Sequence, residues 1–326
     1  MTKDKTNIYA MEAKRNKRRK NAVNRIKTLR IAIATMLIGI IAIIFLLPII
    51  LTITNSFMAK TEIQANYGSV FASSSSSSNS SDSGQSANNR VVFKEVNLKF
   101  IPDMVSFEQY NTVLFKSPDY LLKFWNSVIL VVPIVVFQTL VSVMAAYGLS
   151  RVRRTWKEVV FFAYIILMLM PYQVTLVPNY LVAEKIHLLN TNWSIWLPGI
   201  FSPFAVYMLT KYIRRIPKGV IEAAEIDGCN EWNIFWKIAF PLSKGSMASV
   251  AILIFIDYWN MVEQPIILMS DENLHPLSVF LSRINSGEIG LAFAVASIYM
   301  FLPLFVFLYG EEFLVEGISY QGGVKG

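Results

Sequence analysis

The apolar residues of this chain are gathered into six long runs, at about 31–53, 124–149, 158–178, 193–212, 246–270 and 291–312. A helix needs about 20 predominantly apolar residues to cross the hydrocarbon core of a bilayer. A soluble core asks for apolar stripes, not for unbroken runs of that length. Each run is long enough to span, upright or tilted. Composition agrees: 54% of residues are hydrophobic and 16% charged, against about 25% charged in ordinary soluble domains. The chain therefore reads as an all-α membrane protein with about six transmembrane helices. Pro48, Pro133, Pro171, Pro198, Pro203, Pro265 and Pro303 fall within the runs. Proline is tolerated there because neighbouring helices and waters satisfy the backbone groups it frees.

The net charge of +8 is placed unevenly. Basic residues cluster at Lys14, Arg15, Lys17, Arg18, Arg19 and Lys20, in the loop Arg151–Lys157, and along Lys211–Lys244. The alternate loops are not basic: Lys185 is matched by Glu184, and Arg283 by Asp271, Glu272 and Glu288. Cytoplasmic loops of membrane proteins carry the excess of Lys and Arg. The basic segments, and with them both termini, are thus expected on the cytoplasmic side of the membrane. No basic stripe with interleaved aromatics occurs outside the runs, so a nucleic-acid partner is not expected; membrane lipid is. The first run exceeds the apolar region of about 7–15 residues in a cleaved signal peptide, and no small-residue cleavage site follows it. It is expected to be an uncleaved anchor, kinked at Pro48.

The domain organisation follows. Residues 1–30 form a basic cytoplasmic segment and 31–54 the first transmembrane helix. Residues 55–122 form an external loop whose serine-rich middle, Ser73–Ser83, is expected to be disordered, since it buries too little apolar surface to offset its ordering entropy. The flanks Val91–Phe100 and Phe107–Phe115 have strand-like or short helical patterns that suit a small external cap. Residues 123–312 form the membrane core, including a distinctive loop at 217–242, and 313–326 a cytoplasmic tail. The single cysteine, Cys229, excludes an internal disulfide. The two histidines, His187 and His275, stand apart from Cys or paired carboxylates, so no metal site is expected. No phosphate loop, His-Glu-x-x-His or Gly-x-Ser-x-Gly motif occurs; the chain is expected to bind no cofactor and to catalyse no covalent chemistry.

The loop at 217–242 is more than a connector. Pro217 can open a helix. Val220, Ala223, Ala224 and Asp227 follow at helical spacing, and Gly228 stops or bends the helix. A second stretch, Trp232–Phe240, presents Phe235, Trp236 and Ile238 before Pro241 ends it. Small residues on an exposed face let another protein approach the backbone closely. An interfacial helix lying on lipid head groups would carry Lys and Arg on its polar face. This one carries Glu222, Glu225, Asp227 and Glu231, which anionic lipid repels.

Glu222-Ala223-Ala224, Asp227-Gly228, Phe235, Ile238 and Pro241 together resemble the EAA loop of binding-protein-dependent ABC importer permeases. Cys229 and Phe240 stand where that family often has Ala and Leu. The resemblance extends over roughly 120–326. Within it Ile213–Pro217, Trp259-Asn260 with Pro265, and Leu314-Val315-Glu316-Gly317 with Gly323-Val324-Lys325-Gly326 look like the maltose-type carbohydrate-uptake branch. The serine-rich outer loop does not match the family pattern. The resemblance implies the type I importer permease fold. It makes the residues of this loop the coupling helix that docks on a cytoplasmic ATPase dimer. It also implies a second permease subunit, an extracytoplasmic sugar-binding protein, ATP and Mg held by the partner ATPase, and a C-terminal tail reaching into the ATPase dimer.

Charged residues inside spans are functional candidates by default. Asp257, Asn260 and Gln264 recur at i, i+3 and i+7, which would place them on one helix face, beside Tyr258 and Trp259. Hydroxyl-binding side chains with aromatic faces suit a sugar; bonding between helices is the other reading of these groups. Glu263 lies nearer the outer end. Gln138 and Thr139 in the second run are weaker candidates, and Tyr172 and Gln173 after Pro171 could line the outer mouth. Met168 and Met170 read as packing. A permease for peptide or amino acid, an ion-driven secondary transporter and a membrane-embedded enzyme are the alternatives. Neither the inverted repeats of the second nor the paired acids or metal ligands of the third are evident.

Overall fold

The computed structural model describes residues 2–75, 99–151, 156–283 and 288–319. Most of the serine-rich stretch, most of Val91–Phe100, the greater part of Arg151–Lys157 and the Gly323–Gly326 segment lie outside the described residues. So do the side chains of Lys14–Lys20 and Val315–Gly317. The described chain is helical, with one isolated antiparallel bridge, Met58 to Val105.

In order the helices are α1 (Thr2–Ser56), α2 (Lys60–Ser75), α3 (Glu108–Asn111), α4 (Pro118–Arg151), α5 (Trp156–Leu169), α6 (Tyr172–Lys185), α7 (Trp193–Gly199), α8 (Pro203–Ile213), α9 (Lys218–Ile226), α10 (Glu231–Ile234), α11 (Phe240–Leu242), α12 (Lys244–Trp259), α13 (Glu263–Leu268), α14 (Leu277–Ser282) and α15 (Ile289–Ser319). Wider π-helical turns follow α3 and α10.

Three stretches are each long and apolar enough to cross a membrane: Lys27–Ser56 in α1, Pro118–Arg151 in α4 and Ile289–Leu314 in α15. Two bent pairs qualify together: Val159–Leu169 with Tyr172–Lys185, bent by 94°, and Glu231–Leu242 with Lys244–Trp259, bent by 71°. The apolar runs at 158–178, 193–212 and 246–270 are each divided into two helices. Pro171 is extended, at φ −64° and ψ 143°, and the residue before a proline is pushed out of the helical region. At the second break Ser202 is extended and caps α8, its Oγ accepting the Ala205 N–H at 3.4 Å. Pro203 falls at the start of that helix, where a missing N–H costs nothing. At the third, α12 ends at Trp259 and α13 restarts at Glu263, so that Pro265 sits in a first turn. The seven residues of α7 and the eleven of α8 are each too short to span alone.

α4 lies at the centre, packed along α8 and α12; α12 packs on α15, and α15 on α1. Where α12 and α15 cross, Gly310 lets Ile252 lie against its backbone. The aromatic centre is Trp259, 1% exposed. It stacks between Phe255 at 5.3 Å and Tyr299 at 4.9 Å, with Phe124 edge-on at 5.9 Å. The Tyr299 hydroxyl donates to the Trp259 carbonyl. One side chain thus joins α12, α15 and α4. The apolar side chains of α1 from Ile31 to Ile50, by contrast, are largely exposed, as a lipid-facing helix requires.

On the far side of α1 the chain closes on itself. The Ser106 N–H donates to the Phe57 carbonyl at 2.8 Å, and the Ala59 N–H to the Met104 carbonyl at 3.1 Å. Gln109 Nε2 donates to the Met58 carbonyl at 2.6 Å, and Phe57 packs on Phe107 and Tyr110. The Glu62 carboxylate accepts the backbone N–H groups of Asp103 at 3.0 Å and Met104 at 3.2 Å, with Lys99 Nζ at 3.0 Å. The Asp103 amide above all holds the Glu62 carboxyl below its ordinary 4.5.

Two outcomes follow. Trp259→Ala should cost about 3–5 kcal/mol, the usual loss for a buried aromatic truncated to Ala, read as a lowered unfolding temperature in detergent. Because folding depresses the Glu62 pKa, the clamp's stabilisation is complete above pH 4.5 and is lost as pH falls through the lowered value. Protection of the Asp103 and Met104 amides from hydrogen exchange should therefore fall on acidification, and Glu62→Gln should remove that pH dependence.

Candidate functional site

The segment from Pro217 to Leu242 is built as a rigid elbow. Pro217 is extended and the chain enters α9 directly behind it. One side of α9 buries Ile221 and Ala224; the other exposes Val220, Glu222, Ala223 and Ile226, the last 86% exposed. The helix ends in a Schellman motif. Gly228 takes φ +79°, the Gly228 N–H donates to the Glu225 carbonyl at 3.1 Å, and the Cys229 N–H donates to the Ala224 carbonyl at 3.0 Å. Asn230 caps the next helix, its side-chain oxygen accepting the Asn233 N–H at 2.8 Å. Both helix ends at the turn are satisfied, so the angle between them is fixed by hydrogen bonds and not by side-chain packing alone.

Beyond the turn, Phe235 is buried among Tyr147 at 5.2 Å, Trp236 at 5.0 Å and Phe240 at 6.0 Å. The wide turn over Phe235–Ala239 precedes Pro241, which has no N–H and clashes with the carbonyl four residues earlier in a regular helix. Arg151, the last residue of α4, bonds both Glu225 and Glu231. Glu222, on the outer face, has no ion pair among the described residues.

A second polar group gathers where two divided helices meet. Gln173, just inside α6, donates to the Glu263 carboxylate at 3.1 and 3.3 Å, so the breaks at Pro171 and at 260–262 are joined. Asp257 is exposed near the end of α12, with Tyr258 half-buried beside it. Asn260 caps that helix, its Nδ2 donating to the Ile256 carbonyl at 2.9 Å. Gln264 is half-buried in α13. Carboxylates, amides and a phenol at helix breaks offer hydrogen bonds to a polar solute inside a membrane.

Residues 111–311 match the family described as binding-protein-dependent transport system inner membrane component. The chain belongs to this family. The match takes in the elbow and all three helix breaks and leaves out α1, α2 and the serine-rich stretch. Among relatives, the arabinooligosaccharides transport system permease protein AraQ of Halalkalibacterium halodurans is 30% identical over 71% of this chain and 84% of its own. The lactose transport system permease protein LacG of Rhizobium radiobacter is 28% identical over 65% of this chain and 78% of its own. The chain also superposes, with a TM-score of 0.66 and 21% identity, on a crystal structure of a bacterial ABC transporter involved in the import of the acidic polysaccharide alginate, covering 86% of this chain and 94% of that one. The permease is a multi-pass membrane protein of the fold the sequence led us to expect.

The structure sorts the residues singled out in the sequence. Glu222, Ala223, Asp227 and Gly228 lie together at the exposed elbow. Ala224 does not share their face: it is buried and accepts the Cys229 N–H. Phe235 is likewise in the core and is not presented outward, whereas Trp236 and Pro241 are exposed and Ile238 half-buried. In the membrane, Asp257, Asn260 and Gln264 do not share one helix face, because α12 stops at Trp259 and Gln264 belongs to α13. Trp259 is no open aromatic platform, being sealed between Phe255 and Tyr299. Gln138 is 2% exposed and packed within the chain; its Oε1, with the Thr139 and Ser142 hydroxyls, has no partner among the described residues. Sequence reasoning missed Ile226, although its spacing of three from Ala223 marks the same face. It also missed Arg151 and Tyr147, which lie some 80 residues away in the chain and carry no local signal.

A Cβ built on Gly228 meets nothing within 4 Å, so only the left-handed backbone restricts that position. Gly228→Val should loosen the elbow by roughly 1–2 kcal/mol, while Gly228→Asn, which tolerates this conformation, should lose less. Hydrogen-exchange protection of the Cys229 amide measures the difference.

Proposed function

We propose that this permease forms half of the transmembrane pathway of an ATP-binding-cassette importer for carbohydrate, a di- or oligosaccharide, driven by a separate cytoplasmic ATPase dimer. The carrying observation is the elbow: a capped helix whose outward face offers Glu222, Ala223 and Ile226 while its inward face is anchored to the membrane core. Such a face fits a groove on a motor protein, and an outward face that carries Glu222 and no basic residue beyond Lys218 at the helix start does not fit anionic lipid. The carbohydrate class rests on the relatives named for arabinooligosaccharides and lactose.

In this reading the basic residues where α8 gives way to α9, Lys211 in the last turn of α8, Arg214 and Arg215 after it and Lys218 at the start of α9, mark the cytoplasmic side. With α7–α8 counted as the sixth crossing, both termini share that side. A second permease subunit completes the pathway, and an extracytoplasmic binding protein delivers the sugar. ATP and Mg are held by the ATPase. Asp257, Tyr258, Asn260 and Gln264, with Gln173 and Glu263 at the joined breaks, line the path; Trp259 and Gln138 support it from inside. ATP closes the ATPase dimer, α9 moves, and the spans rotate to open the cavity outward. The shift requires that the two states differ in binding energy for the nucleotide.

In a Cys229→Ser background, a cysteine introduced by Ala223→Cys should crosslink to the ATPase in purified membranes. Glu222→Lys should abolish uptake of labelled oligosaccharide while leaving membrane insertion intact. Normal uptake by Glu222→Lys, with no crosslink from position 223, would overturn docking at this face.

A further inference from the structure

We infer that Arg151 is the positioning residue through which motion of the elbow reaches the central helix α4. The inference rests on the proposed docking of α9 and extends it to residues outside the loop.

The two carboxylates that Arg151 holds lie on opposite sides of the turn: Glu225 on the last turn of α9 and Glu231 on the first residue of α10. Arg151 Nη2 donates to both, at 2.7 Å to Glu231, and its Nε donates to the two Glu231 oxygens at 3.2 Å each. One turn earlier on α4, the buried Tyr147 hydroxyl donates to Glu231 at 2.6 Å. A guanidinium is a planar fork that can serve two acceptors in fixed directions, which an ammonium cannot do. Both arms of the elbow are therefore tied to one point at the end of a transmembrane helix. That helix runs without a break from Pro118 to Arg151 and packs on α8 and α12.

The surroundings of this ion pair point to transmission of motion and not to global stability. Close packing beneath α9 is incomplete: a cavity of about 150 Å³, lined by Ser150, Arg151, Arg214, Lys218, Ile221 and Glu222 among others, lies along its N-terminal half. The C-terminal end of α9 is held instead by burial of Ala224 and by the polar tie from Glu225 to Arg151 on α4. The Glu225 and Glu231 side chains are 45% and 60% exposed, and ion pairs this exposed contribute little to global stability. Their value lies in direction, because a pull or rotation of α9 cannot leave α4 in place while both bonds hold. Finally, with the guanidinium removed, the two carboxylates repel across the turn, and among the described residues Glu231 keeps Tyr147 alone.

The test uses the full complex of both permease subunits, ATPase and binding protein in proteoliposomes. It measures sugar uptake and ATP hydrolysis in the same sample. Arg151→Gln should leave the ATPase bound on purification, the unfolding temperature in detergent unchanged and hydrolysis running, while uptake per ATP falls about tenfold, within the usual range of coupling between sites. Arg151→Lys should be intermediate, and the exchange Arg151→Glu with Glu231→Arg should recover part of the ratio. A wild-type ratio in Arg151→Gln would overturn the inference, as would loss of the ATPase from that variant, which would make Arg151 a docking support. A wild-type complex whose hydrolysis drives no uptake would instead overturn the function on which the inference rests.

Discussion

The interior of a bilayer offers no hydrogen bonds to a backbone, so every interruption of a spanning helix has to be covered by the protein itself. The organisation of this permease follows from how it meets that requirement. At 170–171 and 260–262 the breaks are brought side by side, and the Gln173 to Glu263 bond joins them. The open end of α12 is closed by the Asn260 amide on the Ile256 carbonyl, and the start of α8 by the Ser202 hydroxyl. The polar side chains needed to close the breaks are also those able to hold a polar solute. A single requirement of backbone chemistry therefore gathers the candidate pathway residues in one region.

The unbroken helices serve the opposite purpose. α4 keeps Pro133 within an intact helix, packs on α8 and α12, and ends at Arg151. α15 keeps Pro303 and meets α12 through Gly310 and the Trp259 stack. Stiff elements carry displacement; divided ones can change angle. The elbow joins the two classes, since its far arm, α10 and α11, runs through Ser243 into the divided α12, while Arg151 ties it to the unbroken α4. On the proposed docking of α9, its displacement would reach both kinds of helix.

Much of this was legible in the sequence. The membrane class followed from run lengths, because the thickness of a bilayer sets how many apolar residues a helix needs. The elbow followed from Pro217, Gly228 and the acidic residues around them, because these act on the backbone within a few residues of themselves. Division of the spans was not legible from proline alone. Pro48, Pro133 and Pro303 sit inside continuous helices, whereas Pro171, Pro203 and Pro265 accompany breaks. Whether a proline kinks or ends a helix depends on which neighbours can take up the freed carbonyls, and those neighbours are distant in the chain.

From its residues alone this chain could be placed in a membrane as a bundle of helices, with a capped acidic turn at 217–242. These are local matters, fixed by apolar length and by backbone preference. Which side of that turn faces out was set by the packed fold, which buries Ala224 and Phe235 and exposes Ile226. It alone sealed Trp259 in the core, and it alone placed Arg151 between Glu225 and Glu231. Burial and ion pairing are set by what packs alongside, and here the partners come from helices dozens of residues away, which no local pattern records.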